Sequence, residues 1–358
     1  MGLAGVAVLA LAGTLGLSGC SNLGYYWQSV SGHLQIMSAA RPVDELVREP
    51  LTPGRLRERL ELAQRIRAFA VTALKLPDNA SYRRYADLHR GAAIWNVTAA
   101  PPYSLQLKTW CFPFTGCVGY RGYYHEGDAQ AEAARVASEG YETGVYPVPA
   151  YSTLGLMNWA GGDPLLNTFL GYPEGELAGL IFHELAHQLI YVKGDTTFDE
   201  SFATAVERLG AEQWLAAQAG EQARREYAAD EARRKLFQSL VRPARAQLDA
   251  LYTQPGLTPR EKDEGKRRIL AQFRADYARM KEAAGGDPLA WRGYDRWVRE
   301  ANNALFGAQA AYDELVPGFE RLFRAEGGDW SRFYDAVRQL AALPKEERHR
   351  RLKEGPVG

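Results

Sequence analysis

His183, Glu184 and His187 stand in the run His-Glu-Leu-Ala-His at 183–187. Four residues make about one helical turn, so on a helix both imidazoles leave from one face and reach the same point. Zinc takes nitrogen donors at a short, fixed distance, and a rigid helix supplies two of them at no further ordering cost. Glu184 is displaced round the helix, where its carboxylate approaches a water on the ion rather than the ion itself. That is the position of a general base: the ion lowers the pKa of the water, and the carboxylate takes its proton as it attacks a peptide carbonyl. The expected chemistry is therefore metal-assisted hydrolysis with one Zn2+ per chain. Leu180, Ile181, Phe182, Leu185, Ala186 and Leu189 leave the surrounding turns uncharged, and ionisable groups in such a setting are costly unless a metal or partners satisfy them.

A catalytic zinc site needs a third protein ligand and an open position. After His187 the chain turns at Gly194 and re-enters a helix near Thr197 in TTFDESFATAVERLG. Glu200 is the expected third ligand, because a tight helix-loop-helix return brings the first turn of the second helix beside the first. Asp199, Asp195 and Glu207 compete with it.

The elements that must carry these residues follow from periodicity. Glu174 to Lys193 has no internal proline and is closed by Gly194, as a helix stop should be. Leu56, Leu60, Ala63, Ile66, Ala70 and Leu74 mark one face of an amphipathic helix in 41–76, taken as scaffold. From about 79 to 154, tyrosine, valine and threonine alternate with Gly and Pro, which reads as short strands and turns. GGDPLLNTFLGYPEG reads as a linker. Beyond Phe198 the pattern is helical throughout, with at least five helices and breaks near Pro255 and Gly285. Strands followed by helices give an α+β class: a zincin-like catalytic core with a small mixed sheet and an extensive C-terminal helical region. One unit over 20–358 is expected, with sheet and active-site helices in about 25–210 and a helical subdomain in about 211–358.

Lys+Arg 43 balance Asp+Glu 43 among 358 residues, so no field of one sign exists to hold nucleic acid. Residues 1–19 are apolar and uncharged. The run from Leu3 to Leu17 falls short of the roughly 20 residues that span a bilayer, and Leu17-Ser18-Gly19-Cys20 reads as a lipoprotein signal with cleavage before a lipidated Cys20, although no Lys or Arg precedes it. Export favours a disulfide between Cys111 and Cys117, the other reading being two reduced core cysteines. His33, His89, His125 and His349 lack partners at ligand spacing and read as structural or surface residues.

His183-Glu184-Leu185-Ala186-His187 followed by Asp199-Glu200-Ser201-Phe202-Ala203 resembles the gluzincin arrangement, with a shorter separation than in thermolysin and the large aminopeptidases. The chain also resembles a bacterial family of predicted aminopeptidases that are exported lipoproteins. That likeness runs from Leu-Ser-Gly-Cys through GYYWQSVSGHLQIM, CFPFTGCVGYRGYY, AYSTLG, HELAH and DESFA to NNALFGAQAAYDELVPGFERLF. It implies hydrolysis of peptides from the N-terminus, in the periplasm, by a protein held at the outer membrane through its lipid and needing no obligate protein partner. It makes residues 150–155 a candidate strand edge for extended substrate. The oxyanion needs a donor, for which Tyr312 ranks first, ahead of Tyr120, Tyr123 and Tyr124, while Asn302 and Asn303 are candidates for substrate contact or helix capping. The alternative reading is a non-catalytic membrane-anchored lipoprotein using a zincin-like fold as scaffold or binding module.

Overall fold

A computed structural model gives the fold and describes residues 24–113, 115–150 and 152–355. The expected signal segment 1–19, Cys20 and Tyr151 lie outside the described residues. The chain opens with a helix over 24–39 (α1), which the Gly, Ser and aromatic content of that stretch had concealed. Then come β1 (Arg41–Pro42), α2 (Val43–Arg48) and α3 (Gly54–Thr72). Pro50 and Pro53 divide the amphipathic run expected over 41–76, because proline cannot supply the N–H that an interior turn needs. Leu60, Ala63, Ile66 and Ala70 of α3, with Leu74 just beyond it, are fully buried on the anticipated face.

Strands β2 (Arg84–Ala86), β3 (Ile94–Ala100), β4 (Trp110–Phe112), β5 (Gly116–Val118), β6 (Arg121–Tyr123) and β7 (Glu142–Val148) follow, with α4 (Glu126–Ser138) between the last two. They form small sheets. β3 lies between β6 and β7 in an antiparallel sheet, β4 and β5 form a hairpin, and β2 lies between β1 and β8 (Leu165–Leu166). The alanine-rich α4, unrecognised in a stretch read as strands, buries Ala129, Ala133 and Val136. The stretch read as a linker holds β8 and α5 (Asn167–Leu170).

The rest is helical: α6 (Glu174–Leu189), α7 (Thr196–Ala217), α8 (Glu221–Thr253), α9 (Pro259–Ala284), α10 (Arg292–Glu300), α11 (Asn303–Asp313), α12 (Val316–Ala325), α13 (Trp330–Ala341) and α14 (Lys345–Glu354). The mixed α and β body with small sheets and a long helical C-terminal region is the class expected. α9 starts sharply because Pro259 follows Thr258, whose side chain forms a reciprocal capping box with Glu261. The largest core joins α3, α6 and α7 to α12–α14, so the last helices pack back on the first half of the chain. A second core gathers aromatic side chains of α8, α9, α10 and α11.

Candidate metal centre

α6 is buried along the face carrying Leu177, Ile181, Phe182, Leu185 and Ala186, all wholly inaccessible. His183 and His187 leave it one turn apart, with ring centroids 4.8 Å apart. Beyond α6 the chain turns at Gly194, whose φ of +84° suits glycine. Asp195 then caps α7, its carboxylate accepting from the Phe198 N–H at 3.4 Å. That cap is itself gripped by α14, through Arg348 Nη1 at 3.2 Å and His349 Nε2 at 2.9 Å. Glu200 lies in the second turn of a helix whose start is thus fixed.

The Glu200 Oε2 atom stands 3.4 Å from His183 Nε2 and 3.6 Å from His187 Nε2. The two Nε2 atoms are 3.2 Å apart. Ligand atoms at about 2.0–2.1 Å around a tetrahedral zinc ion are separated by about 3.3 Å. The triangle therefore has the edge length such an ion requires, and all three residues are buried. Two imidazole nitrogens and a carboxylate oxygen form a donor set compatible with zinc.

The surroundings tie the ligands down. His183 Nδ1 lies 3.0 Å from Glu207 Oε2, a contact that orients the ring and leaves Nε2 toward the centre. Gly179 makes room for it, since a Cβ there would stand 3.0 Å from Glu207 Cγ. Burial alone would raise the Glu200 carboxyl, but the hydrogen bonds and charges of both imidazoles hold it at about 2. Burial works against a proton on His183, and Glu200 with Glu207 overcomes it, pushing its pKa well above the ordinary range. The other acids weighed as ligands have separate tasks. Asp195 caps α7. Asp199 accepts from the Val192 N–H at 2.7 Å and fastens the α6–α7 turn; burial first, then the neighbouring Glu200 and Asp195 charges, push it to about 8.

Tyrosines ring the centre. The Tyr312 ring lies 6.4 Å from that of His183. Burial, then the Glu200 charge, pushes Tyr312 and Tyr120 well above the usual phenol value, and burial raises Tyr146 to about 12. Tyr312 and Tyr120 also feel the half-buried Glu184, as does the fully buried Tyr82. These hydroxyls keep their protons beside the Glu184 and Glu200 carboxylates, whose charges favour the neutral phenols. Tyr146 and Tyr82 were not anticipated from sequence. Tyr123 and Tyr124 turn instead toward α1: Tyr123 packs on Tyr25 at 5.6 Å, and the Tyr124 ring abuts Gly32.

One further expectation changes. Residues 152–155 form no strand: the Thr153 N–H donates to the buried Asp163 carboxylate at 3.1 Å, which pulls the chain into a turn. Gln188 of α6 donates to the same carboxylate at 3.1 Å, tying that turn to the ligand helix. Asn302 caps α11 and donates to Thr143 O on the outer edge of β7 at 2.8 Å. Asn303 is wholly buried and donates to Pro101 O and Pro102 O at 2.9 and 2.8 Å, so Asn302 takes the capping role weighed for it and Asn303 braces the turn after β3.

The Cys111 and Cys117 sulfurs are bonded at 1.94 Å across the β4–β5 hairpin. The tip of that hairpin docks on the α6–α7 turn, where Tyr191 Oη donates to Thr115 O at 3.0 Å and Lys193 Nζ to Pro113 O at 2.7 Å. A cavity of about 420 Å3 shares Glu207 and Tyr312 with the centre and runs between α7, α8, α10 and α11.

The class so defined is a mixed α and β protein with a buried His-His-Glu centre able to hold a metal ion beside a carboxylate and several protonated phenols. The chain belongs to the family described as "Putative aminopeptidase", whose profile matches residues 24–352. No curated protein and no solved structure matches it.

Proposed function

We propose that the protein is a zinc-dependent aminopeptidase with a zincin-like core, tethered through a lipid on Cys20 at the periplasmic face of the outer membrane. The observation that carries the zinc is the triangle of His183 Nε2, His187 Nε2 and Glu200 Oε2, with edges of 3.2, 3.4 and 3.6 Å. A zinc ion bound there supplies a Lewis acid that makes water a nucleophile near neutral pH and polarises a carbonyl. Glu184 accepts the proton of the attacking water and returns it to the departing amine. The Tyr312 hydroxyl, with Tyr120 and Tyr146 beside it, donates to the oxygen on which charge develops. Glu207 holds the His183 ring in register. The family description supports peptides as substrates, and the lipid tether rests on the Leu-Ser-Gly-Cys box and the apolar run before it.

Metal analysis of purified protein is expected to give one zinc per chain, lost in His187→Ala. Hydrolysis of free peptides with N-acetylated ones spared would establish attack at the N-terminus. A His187→Ala protein that keeps its zinc would refute the ligand assignment.

A further inference from the structure

Helix α1 presents two faces. Its inner face is packed: Tyr25 stacks on Phe112 at 5.5 Å and lies beneath the Arg121 guanidinium at 4.0 Å. Gln28 donates to Gly122 O at 3.3 Å and accepts from the Tyr124 N–H at 3.2 Å. Gly32 admits the Tyr124 ring so closely that a Cβ would lie 2.2 Å from it, and Ile36 enters the largest core. The helix is thus seated on the body, and its orientation is fixed.

Among the described residues nothing covers the outer face in this way. Trp27 is 74% exposed, Val30 55% and Leu34 60%, with Tyr26 beside them at 42%. Steps of three and four residues put Trp27, Val30 and Leu34 in one stripe. No Asp, Glu, Lys or Arg occurs between Ser21 and Ala40. Scattered apolar residues on a surface are ordinary, whereas a contiguous stripe on an uncharged helix marks a contact surface. Leu156 and Trp159, 55% and 83% exposed, belong to the loop whose Gly161 abuts Met37 of α1, so further exposed apolar side chains lie in a loop packed beside the helix.

The upstream sequence, on the lipid-anchor reading proposed above, points to the occupant. The apolar run from Leu3 to Leu17 and Cys20 end just before this helix. Four extended residues reach at most about 14 Å, so a chain held to a bilayer at Cys20 keeps α1 at its surface. Among the described residues no helix is long and apolar enough to cross a membrane. An uncharged stripe carrying Trp and Tyr suits a helix lying in the interface, where aromatic side chains settle at headgroup depth.

We propose that the Trp27, Val30 and Leu34 face of α1 is a membrane-contact surface that inserts into the interfacial layer of a lipid bilayer, independently of any lipid on Cys20. The surface would set how the metal centre stands relative to the membrane, because α1 is docked rigidly on the sheet that supports it.

The test uses a chain beginning at Ser21, which lacks Cys20 yet keeps every residue of the described cores. This chain is expected to float with phosphatidylcholine vesicles and to stay bound in high salt. The triple variant Trp27→Ser, Val30→Ser, Leu34→Ser should lower its partition about tenfold or more, since each side chain gives up apolar burial in lipid. Unchanged zinc content in the variant would show that the fold is intact. Failure of the parent chain to float, release by salt, or equal flotation of parent and variant would overturn the proposal. So would a parent chain that pairs through this face as a dimer and ignores vesicles, or a full-length chain whose residues 1–19 shield Trp27 from a soluble quencher without lipid. Because Cys20 is absent from the tested chain, these outcomes leave the lipid tether to be judged separately.

Discussion

In the core around α6 and α7, His183, His187, Asp199 and Glu200 are buried among phenylalanines; in the core around α8–α10, rings meet rings. Phe237 packs on Trp297 at 5.2 Å, Trp297 on Phe306 at 5.0 Å and Phe306 on Phe273 at 5.5 Å. The first core accepts a large desolvation cost because its charges compensate one another at one point, whereas the second has a large apolar area and nothing to coordinate. Helix α11 belongs to both. Phe306 anchors it in the aromatic core, and Tyr312, less than two turns on, reaches the metal centre. Ser201 fixes the junction by donating to Ala311 O at 2.9 Å and accepting from the Leu315 N–H at 3.2 Å. One core thus holds the His183, His187 and Glu200 cluster, and the other holds an element that completes its surroundings.

Separating chemistry from support should be possible by mutation. The largest effect is expected from Glu184→Ala: turnover of a free peptide falls by about 10²- to 10⁴-fold, the worth of a general base, with metal content unchanged. Loss of metal in this variant would move Glu184 from base to ligand. Phe306→Ala should cost about 3–5 kcal/mol of unfolding free energy in denaturant titration, while the folded fraction still binds one equivalent of zinc. A fall in stoichiometry would mean that the two cores are not separable. Glu207→Gln removes the carboxylate charge behind His183, leaving a neutral amide, and should weaken zinc binding about 10- to 100-fold in chelator competition. Equal affinity would make that carboxylate a bystander.

The smallest effect lies at the α7 cap. Burial tends to raise Asp195, but the hydrogen bond and charge of His349 and the charge of Lys345 bring it below the ordinary carboxylate range. A carboxylate depressed in the folded state adds stability that is complete above its unfolded pKa of about 3.9 and disappears as pH falls through the folded value. The advantage of the parent over Asp195→Asn, about 1.5 kcal/mol as for a hydrogen bond to a charged group, should therefore be full above about pH 4 and shrink below it. Thermal unfolding across that range measures it. A gap that widened in acid would be the wrong sign.

What the sequence disclosed follows the range of each interaction. His183 and His187 share a helix face, and Glu200 returns on the next helix, so local periodicity was enough to bring out the triangle. Glu207 offered the same signal, standing seven residues beyond Glu200 on the same face of α7, yet it entered only as a rival ligand. Tyr146 and Tyr82 were hidden because they approach from β7 and from the loop before β2, positions that only sheet register and tertiary packing determine. Residues 152–155 looked extended because nothing local reveals the Asp163 side chain that bends them. α1 was concealed for a different reason: Gly, Ser and aromatic residues fill it and its exposed stripe is apolar, so the contrast that marks an amphipathic helix is missing.

The grip of α14 on Asp195 spans 153 residues of chain. Glu200 therefore begins its helix at a cap that is complete only after the final helix has been made and has docked. A chain growing or emerging from its N-terminus carries His183 and His187 long before that cap can close. Contacts of such separation carry a loop-closure cost, so the ties of Asp195 to Arg348 and His349 exist only once α14 has docked, and the start of the helix that carries Glu200 is braced by a part of the chain far from it in sequence.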